Sequence, residues 1–232
     1  WTFDWPGHGE SLGRRGHVGN AADAREILDS LIAEMSRPGM LVGVGGHSMG
    51  GLLALDLLTR SAELNFAWIS SPLLKPRHGR PLGLLAAVRV FGRIFPCWTL
   101  DTGVRLADCV GTDCERDISE MEKELVEGLW HSRVSLSWAR ALIQIADAVE
   151  LGRQQIFHKG RRIFVSQGED DEICPASAAR SFFRDERLKS RYLEIPQAKH
   201  EPFTEERFIK CLVAALSEEL SNWMTEIPEN DA

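Results

Sequence analysis

The chain has 232 residues, 44% of them hydrophobic and 26% charged, which is enough to bury the core of one globular α/β domain. Its formal net charge of −7 and its scattered Lys and Arg residues argue against a nucleic-acid partner, and no apolar run approaches the roughly 20 residues that span a bilayer. Its five cysteines show no Cys-x-x-Cys pair and no His partner at metal-ligand spacing, so we expect reduced thiols, a cytoplasmic location and no metal or other cofactor.

The first part of the chain, residues 1–71, predicts strands that alternate with helices. Apolar residues that recur on one helical face and short apolar runs bounded by turn residues carry these predictions. Asn20 is the expected cap of the first helix. One predicted strand ends at residue 4, and two others lie at 40–44 and 66–70. The predicted helices lie at 21–36 and 49–60.

The pattern changes in residues 72–155, where Pro76, Pro81 and Pro96 interrupt the chain before helices predicted at 115–128 and 134–151. Alternation resumes in residues 156–232. The strands predicted there are 162–166 and 191–195, and the helices are 176–184 and 205–223. Strands that alternate with helices predict an α/β fold, a mostly parallel sheet flanked by helices. We expect residues 72–155, called the insertion below, to form a helical lid over the strand ends.

The segment Gly46–Gly51, with the sequence GHSMGG, fits the pattern Gly-x-Ser-x-Gly between an apolar strand and a helix. Such a sharp turn lifts the serine hydroxyl above the sheet and aims the helix N-terminus at a developing oxyanion. The flanking glycines let neighbouring backbone approach closely. A glycine-rich turn with an idle serine is the alternative, and the strand–helix context favours Ser48 as a nucleophile.

A serine hydroxyl needs a base, and in this architecture the chain order is serine, acid, histidine. His200 stands between the last predicted strand and the last predicted helix, as that order requires. The acid should come from the loop after strand 162–166, where residues 169–172 are four carboxylates in a row. One of them would orient His200; Asp171 is the preferred candidate and Asp170 the alternative.

The chain resembles the monoacylglycerol lipase and lysophospholipase family of α/β-hydrolases at four places. These are a D-x-x-G-H-G-x-S turn at 4–11, the G-H-S-M-G-G elbow at 46–51, an acid loop at 168–174 and a His loop at 198–203. In that family the aspartate stands three positions after the loop glycine, which implies Asp171. The resemblance also implies that the N–H of Met49 is one oxyanion-hole donor.

The chain departs from this family at its start. The family has several strands before the D-x-x-G-H-G turn, and a loop after one of them gives the other oxyanion-hole amide. This chain opens at the turn. We therefore expect a central strand and the first donor to lie upstream of residue 1, in a longer chain.

The leading expectation is a serine hydrolase that cleaves single-chain acyl esters, either monoacylglycerols or lysophospholipids. Apolar side chains of the insertion would line an acyl pocket or form the insertion's own core: Phe91, Phe95, Trp98, Leu100, Leu129, Trp130 and Trp138. Transient contact of the insertion with membrane lipid is a further expectation. A peptidase or amidase with the same triad is an alternative, although the sequence shows no clear acidic rim for a substrate amine. A non-catalytic binding module of the same fold is another.

Overall fold

The computed structural model describes residues 1–37, 39–61, 63–75, 82–111, 123, 128–157, 161–183 and 190–225. Its elements follow in chain order. They are α1 (Ala21–Met35), β1 (Val42–His47), α2 (Met49–Arg60), β2 (Leu64–Ser70), α3 (Leu82–Ile94), β3 (Thr99–Asp101), α4 (Leu106–Cys109), β4 (Arg133–Ser135), α5 (Leu136–Leu151), α6 (Arg153–Ile156), β5 (Arg162–Gly168), α7 (Ala176–Phe183), β6 (Ser190–Ile195) and α8 (Glu206–Thr225). None of the described helices is long and apolar enough to cross a bilayer.

A parallel sheet of four strands, in the order β1-β2-β5-β6, forms the centre of the described structure. Its two middle strands carry apolar side chains on both faces, as a sheet covered by helices on both sides requires. Their nearly inaccessible residues include Ala67, Ile69, Ile163, Phe164 and Val165. Ser70 of β2 lies opposite His47 of β1 and Ser166 of β5, so these strands end at one level and the loops after them converge.

Helix α2 packs at the middle of the main hydrophobic core, because every residue from 51 to 58 is buried. Trp138, Ile145 and Val149 of α5 belong to the same cluster. The last helix of the insertion is therefore part of the core of the sheet domain. A second cluster joins β5 to α8 on the opposite side, through Phe164 and Leu212.

A helix cap stabilises α1, and ion pairs hold it beside α2. Asn20 caps α1 in a reciprocal capping box with Asp23, which confirms the predicted cap. Asp56, an inaccessible carboxylate in the middle of α2, pairs with Arg25 of α1 at 2.6 Å and with Arg60 at 3.1 Å. A buried charge is tolerated only when it is paired in this way.

The structure confirms the α/β fold class and corrects several local predictions. Residues 1–4 form no strand; Asp4 instead closes a loop, accepting from the backbone of Glu10 and, through its carbonyl, from the Ser11 hydroxyl. The helix predicted from residue 134 begins at residue 136, because residues 133–135 pair with residues 99–101 in a small antiparallel sheet.

Helix α3 was not predicted from the sequence, although it begins directly after Pro81, the type of residue that favours a first helical turn. The helix predicted at 115–128 lies outside the described residues apart from 123 and 128. The division of the chain at residues 71 and 155 stays a prediction.

Candidate active site

Ser48 stands at the turn between β1 and α2 with φ 53° and ψ −114°, a region that residues with a side chain rarely adopt. The turn is held by backbone bonds: Ser48 N–H donates to the Ser70 carbonyl, and its own carbonyl accepts from Leu73. A Cβ at Gly46 would lie 2.2 Å from the Gly50 carbonyl oxygen, so only glycine fits there. The backbone strain therefore fixes the place of the Ser48 side chain at the carboxyl end of the sheet.

Within the described residues the Ser48 hydroxyl does not cap α2, so it is not committed to the helix terminus. Met49 is the first residue of α2, and its N–H has no partner within the helix. Its thioether accepts a hydrogen bond from the Trp138 indole at 3.3 Å, which ties the start of α2 to α5. A free N–H at the positive end of a helix suits an oxyanion.

Asp171 lies in the loop after β5 and is only 4% exposed. Its Oδ1 accepts from the backbone N–H groups of Ile173 at 2.9 Å and Cys174 at 2.8 Å. Its Oδ2 accepts from Gln167 Nε2 at 2.9 Å and pairs with His200 Nδ1 at 2.8 Å. Four bonds to two oxygens hold the carboxyl group in one orientation.

The structure separates Asp171 from its sequence neighbours. Glu169, Asp170 and Glu172 are all exposed. The backbone N–H of Asp170 donates to the Ala198 carbonyl, which helps to hold the acid loop against the His loop. A Cβ at Gly168 would lie 1.9 Å from the Lys199 carbonyl oxygen, so the two loops are in direct backbone contact.

His200 is 4% exposed and is held from two sides. Asp171 pairs with Nδ1, and a proton on that nitrogen leaves Nε2 as the basic atom of the neutral ring. The Ser71 hydroxyl donates to the His200 carbonyl at 2.9 Å. Ser71 itself has φ 41°, so a strained residue at the end of β2 positions the His loop.

Ser48 and His200 border the same cavity, but no hydrogen bond joins their side chains within the described residues. Catalytic hydrogen bonds are often looser before substrate binds. The structure thus pairs Asp171 with His200 directly and places Ser48 and Met49 on the same cavity wall. The triad of Ser48, Asp171 and His200 stays a prediction, as does the role of Met49 as oxyanion donor.

The ring of His47 lies beside the His200 ring, with centroids 4.6 Å apart, and meets Phe203 edge-on at 4.8 Å. Burial lowers the pKa of His47 well below its ordinary value, and the neighbouring His200 lowers it further. His47 therefore remains neutral next to His200. Its Nδ1 lies 3.3 Å from the Ser70 hydroxyl, which links the elbow to the end of β2.

The described cysteines are all free thiols: Cys97, Cys109, Cys174 and Cys211. Burial, with a smaller effect of Glu201, raises the pKa of Cys109 to about 12. Burial also raises the pKa of Cys174, and the charge of Asp171 adds to this, whereas a hydrogen bond with Ser48 partly offsets it. A thiol nucleophile must be a thiolate, so neither buried cysteine competes with Ser48 at neutral pH.

The cavity has a volume of about 860 Å³. One wall is apolar and comes largely from α3 and α5, with Leu85, Val88, Trp138, Leu142 and Ile143. The lining also has polar and charged side chains, which include Asp101, Arg105, Asp108, Arg133, Glu172 and Glu201. In the described part of the chain, no three or more His, Cys, Asp or Glu side chains are grouped so that they could hold a metal ion.

Of the seven apolar side chains named from the sequence, Leu100, Leu129, Trp130 and Trp138 line this cavity. Three others do not belong to its described lining. Phe91, Phe95 and Trp98 are exposed, and their rings stack on one another, with 6.2 and 4.4 Å between successive centroids. Phe91 lies in α3, whereas Phe95 and Trp98 follow the end of that helix and lead to β3.

Sequence reasoning missed Ser71, Gln167 and His47, which surround the predicted residues. Ser71 and the carbonyl that it binds are 129 positions apart, a separation that no local pattern reveals. Gln167 offered one signal, since it directly precedes the glycine of the acid loop.

The parallel sheet, the strained elbow and the buried Asp171–His200 pair are those of an α/β-hydrolase. The chain belongs to the family described as serine aminopeptidase, S33, which matches residues 1–207. The sequence motifs predicted the related monoacylglycerol lipase branch of the same fold, and the relatives agree with this prediction.

A monoacylglycerol lipase of Mycolicibacterium smegmatis is 26% identical over 88% of this chain and 72% of its own length. An uncharacterized abhydrolase domain-containing protein of Dictyostelium discoideum is 25% identical over 99% of this chain, which spans only 24% of that protein. The crystal structure of Paleococcus ferrophilus monoacylglycerol lipase matches with a TM-score of 0.81 at 27% identity, over 96% of this chain and 82% of that one. These likenesses place the chain among the ester-hydrolysing enzymes of the α/β-hydrolase fold.

Proposed function

We propose that the protein hydrolyses single-chain acyl esters, monoacylglycerols in the first place, through an acyl-Ser48 intermediate. The observation that supports this most is the buried Asp171–His200 pair at the edge of the cavity that Ser48 borders. An oriented histidine next to a serine at a strained elbow is the arrangement that makes a hydroxyl nucleophilic.

In the first half of the reaction, His200 Nε2 takes the proton of Ser48 Oγ as this oxygen attacks the ester carbonyl carbon. The Met49 N–H donates to the oxyanion of the tetrahedral intermediate. When the intermediate collapses, the ester C–O bond breaks and His200 returns the proton to the leaving alcohol. Asp171 stabilises the imidazolium meanwhile and keeps Nε2 directed at the serine.

In the second half, a water molecule attacks the acyl-Ser48 carbonyl and gives one proton to His200 Nε2. The second tetrahedral intermediate releases the fatty acid, and the proton passes from His200 back to Ser48 Oγ. The enzyme is regenerated and one water is consumed for each ester cleaved.

The shape of the cavity supports an amphipathic substrate. The apolar wall from α3 and α5 suits an acyl chain, and the polar lining suits a glycerol or phosphoester head group. Two relatives are named monoacylglycerol lipases, which favours the glycerol ester over a lysophospholipid. The carboxylates of the rim are accompanied by Lys75, Arg105 and Arg133, so they do not form the purely acidic rim that an aminopeptidase would use for an amine.

We further propose that the outer face of α3 contacts membrane lipid when the enzyme acts. The surface, called the apolar patch below, is made of exposed side chains of α3 and of the segment that follows it: Leu84, Val90, Phe91, Ile94, Phe95 and Trp98. Leu84 also lines the cavity, so the patch continues into the cavity wall. A lipid substrate could pass from the bilayer to Ser48 along this surface. The cytoplasmic location inferred from the free cysteines stays a prediction.

The test uses the full-length protein with a panel of monoacylglycerols, lysophospholipids and amino-acid amides, together with a fluorophosphonate probe. We expect fastest turnover of monoacylglycerol, and Ser48→Ala should lower kcat by about 10,000-fold or more and abolish labelling. Ser132→Ala is the matched control, because Ser132 also lines the cavity but takes no part in the triad.

Other outcomes identify the competing functions. Faster cleavage of amides than of esters would replace the lipase proposal by a peptidase. An unlabelled wild-type protein that hydrolyses nothing in the panel would mean a non-catalytic binding module.

A further inference from the structure

Gln167 is an inaccessible polar residue in contact with the acid loop. It is the penultimate residue of β5, with no exposed surface. Its Nε2 lies 2.9 Å from Asp171 Oδ2, 3.0 Å from the Cys174 carbonyl oxygen and 3.2 Å from the Gly168 carbonyl oxygen. One side-chain amide thus reaches the carboxylate and both ends of the loop that carries it.

The orientation of this amide is dictated by its surroundings. All three neighbours are acceptors, so the opposite orientation would place Gln167 Oε1 against a carboxylate and two carbonyl oxygens. The donors therefore face the loop. Oε1 then lies buried without a hydrogen-bond partner among the described residues. An unsatisfied buried oxygen destabilises the folded state, and an apolar side chain of the same size would avoid this cost.

The bonds on Asp171 divide between its two oxygens. Backbone N–H groups hold Oδ1, and these depend only on the loop conformation. On Oδ2, which meets His200, the Gln167 amide is the second partner. Without that donor the carboxylate could turn about its Cβ–Cγ bond and leave the line of the His200 Nδ1–H group.

We propose that Gln167 is a positioning residue for catalysis, which fixes Asp171 Oδ2 in line with His200 Nδ1. The inference rests on the proposed serine mechanism. Among the described residues that line the cavity Gln167 is absent, so it acts through Asp171 and not on the substrate. Its loss should therefore affect kcat and leave KM nearly unchanged.

The first variant is Gln167→Met in the full-length protein, which keeps the side-chain length and removes both N–H donors. Small misplacements in a catalytic constellation cost up to about 100-fold in rate. We expect kcat to fall about 10- to 100-fold across the whole pH range, with KM within about twofold of the wild-type value. A variant that raises KM and keeps kcat would overturn the proposal.

The second variant, Gln167→Glu, gives a readout that a purely structural role would not move. Two carboxyl groups this close share a proton. A protonated carboxyl at position 167 donates to Asp171 Oδ2 as the amide did. As pH rises and this proton is lost, two anions face each other and the arrangement fails.

We therefore expect the kcat of Gln167→Glu, divided by that of the wild type, to be highest at acid pH and to fall as pH rises. Gln144→Glu is the control, because Gln144 is exposed on α5 and its ratio should not depend on pH. A ratio for Gln167→Glu that is equally flat would contradict the positioning role.

Proton NMR separates this inference from the proposed function, since it requires no substrate. A hydrogen-bonded His200 Nδ1 proton should give a downfield resonance in the wild type that is absent in His200→Gln. We expect this resonance to shift or broaden in Gln167→Met and to persist in Gln144→Glu. An unchanged resonance in Gln167→Met would overturn the proposal about Gln167, whatever the substrate panel shows.

Discussion

The acid and His loops at the carboxyl edge of the sheet differ sharply from the outer face of the insertion. At the sheet edge, Asp171 has four hydrogen bonds, and backbone contacts fix the His200 loop against it. In the apolar patch of the insertion, exposed rings stack on one another. Proton transfer requires atoms held within tenths of an ångström, whereas contact with a fluid lipid surface requires only apolar area.

The insertion itself contains both a tightly packed part and an exposed apolar surface. Helix α5 contributes Trp138, Ile145 and Val149 to the main core, and α3 packs against α5 so closely that a Cβ at Gly92 would lie 2.6 Å from the Leu136 carbonyl oxygen. The inner face of α3 is therefore as fixed as the sheet domain. Any adaptability of the insertion should be confined to its outer surface.

The largest effect should come from the sheet edge. Asp171→Asn preserves the shape of the side chain but removes the charge that stabilises the His200 imidazolium. It also favours the neutral His200 tautomer that lacks a proton on Nδ1. In a serine triad this exchange lowers kcat by about 10,000-fold. Steady-state kinetics of Asp170→Asn provide the control, because Asp170 is exposed and should tolerate the change within a few-fold. Comparable losses in both variants would remove the special role given to Asp171.

The second prediction compares a buried carboxylate of the sheet domain with a surface ion pair of the insertion. Asp56 is inaccessible and bound by Arg25 and Arg60, which are partly exposed. Asp56→Ala removes this buried charge network and leaves Arg60 with Asp29 alone, so it should lower the free energy of unfolding by about 3 kcal/mol. Asp147 of α5 pairs with Arg89 of α3 on the surface, with side chains 36% and 49% exposed. Asp147→Ala should change the free energy of unfolding by less than about 1 kcal/mol. Equal losses in urea unfolding would show that the two regions are held alike.

The sequence predicted the elements of the sheet domain well, for identifiable reasons. The bounds of α2 matched to the residue, because a run of apolar side chains begins at the elbow and ends at Arg60. Helices α1 and α8 and strand β6 came within two residues. Strong periodicity and turn residues at both ends fix such elements locally.

What sequence reasoning missed depends on contacts between distant parts of the chain. The pairing of β3 with β4 joins three-residue segments more than thirty positions apart, and each is too short to show a pattern. The motifs led to Ser48, Asp171 and His200, whereas Gln167 and Ser71 act through contacts that only the folded chain brings together. The exposure of Phe91 and Trp98 was missed because an apolar residue type does not show whether its side chain faces a cavity or the surface.

The smallest effect should come from the apolar patch, and it tests whether that surface serves lipid contact. If each ring of Phe91 and Trp98 buries about 60 Å² in the bilayer, about 25 cal/mol per Å² gives about 1.5 kcal/mol, or about tenfold in partitioning for each ring. Phe91→Ser and Trp98→Ser should each weaken sedimentation with phosphatidylcholine vesicles by about that factor. Hydrolysis of a soluble short-chain ester should stay at the wild-type rate, while hydrolysis of monoacylglycerol in vesicles falls. Val213→Ser on α8 is the matched control, since Val213 is exposed but does not border the cavity. Equal vesicle binding by all three variants would mean that the stacked rings do not meet the membrane, and the contrast between a rigid sheet edge and a lipid-facing insertion would lose its functional meaning.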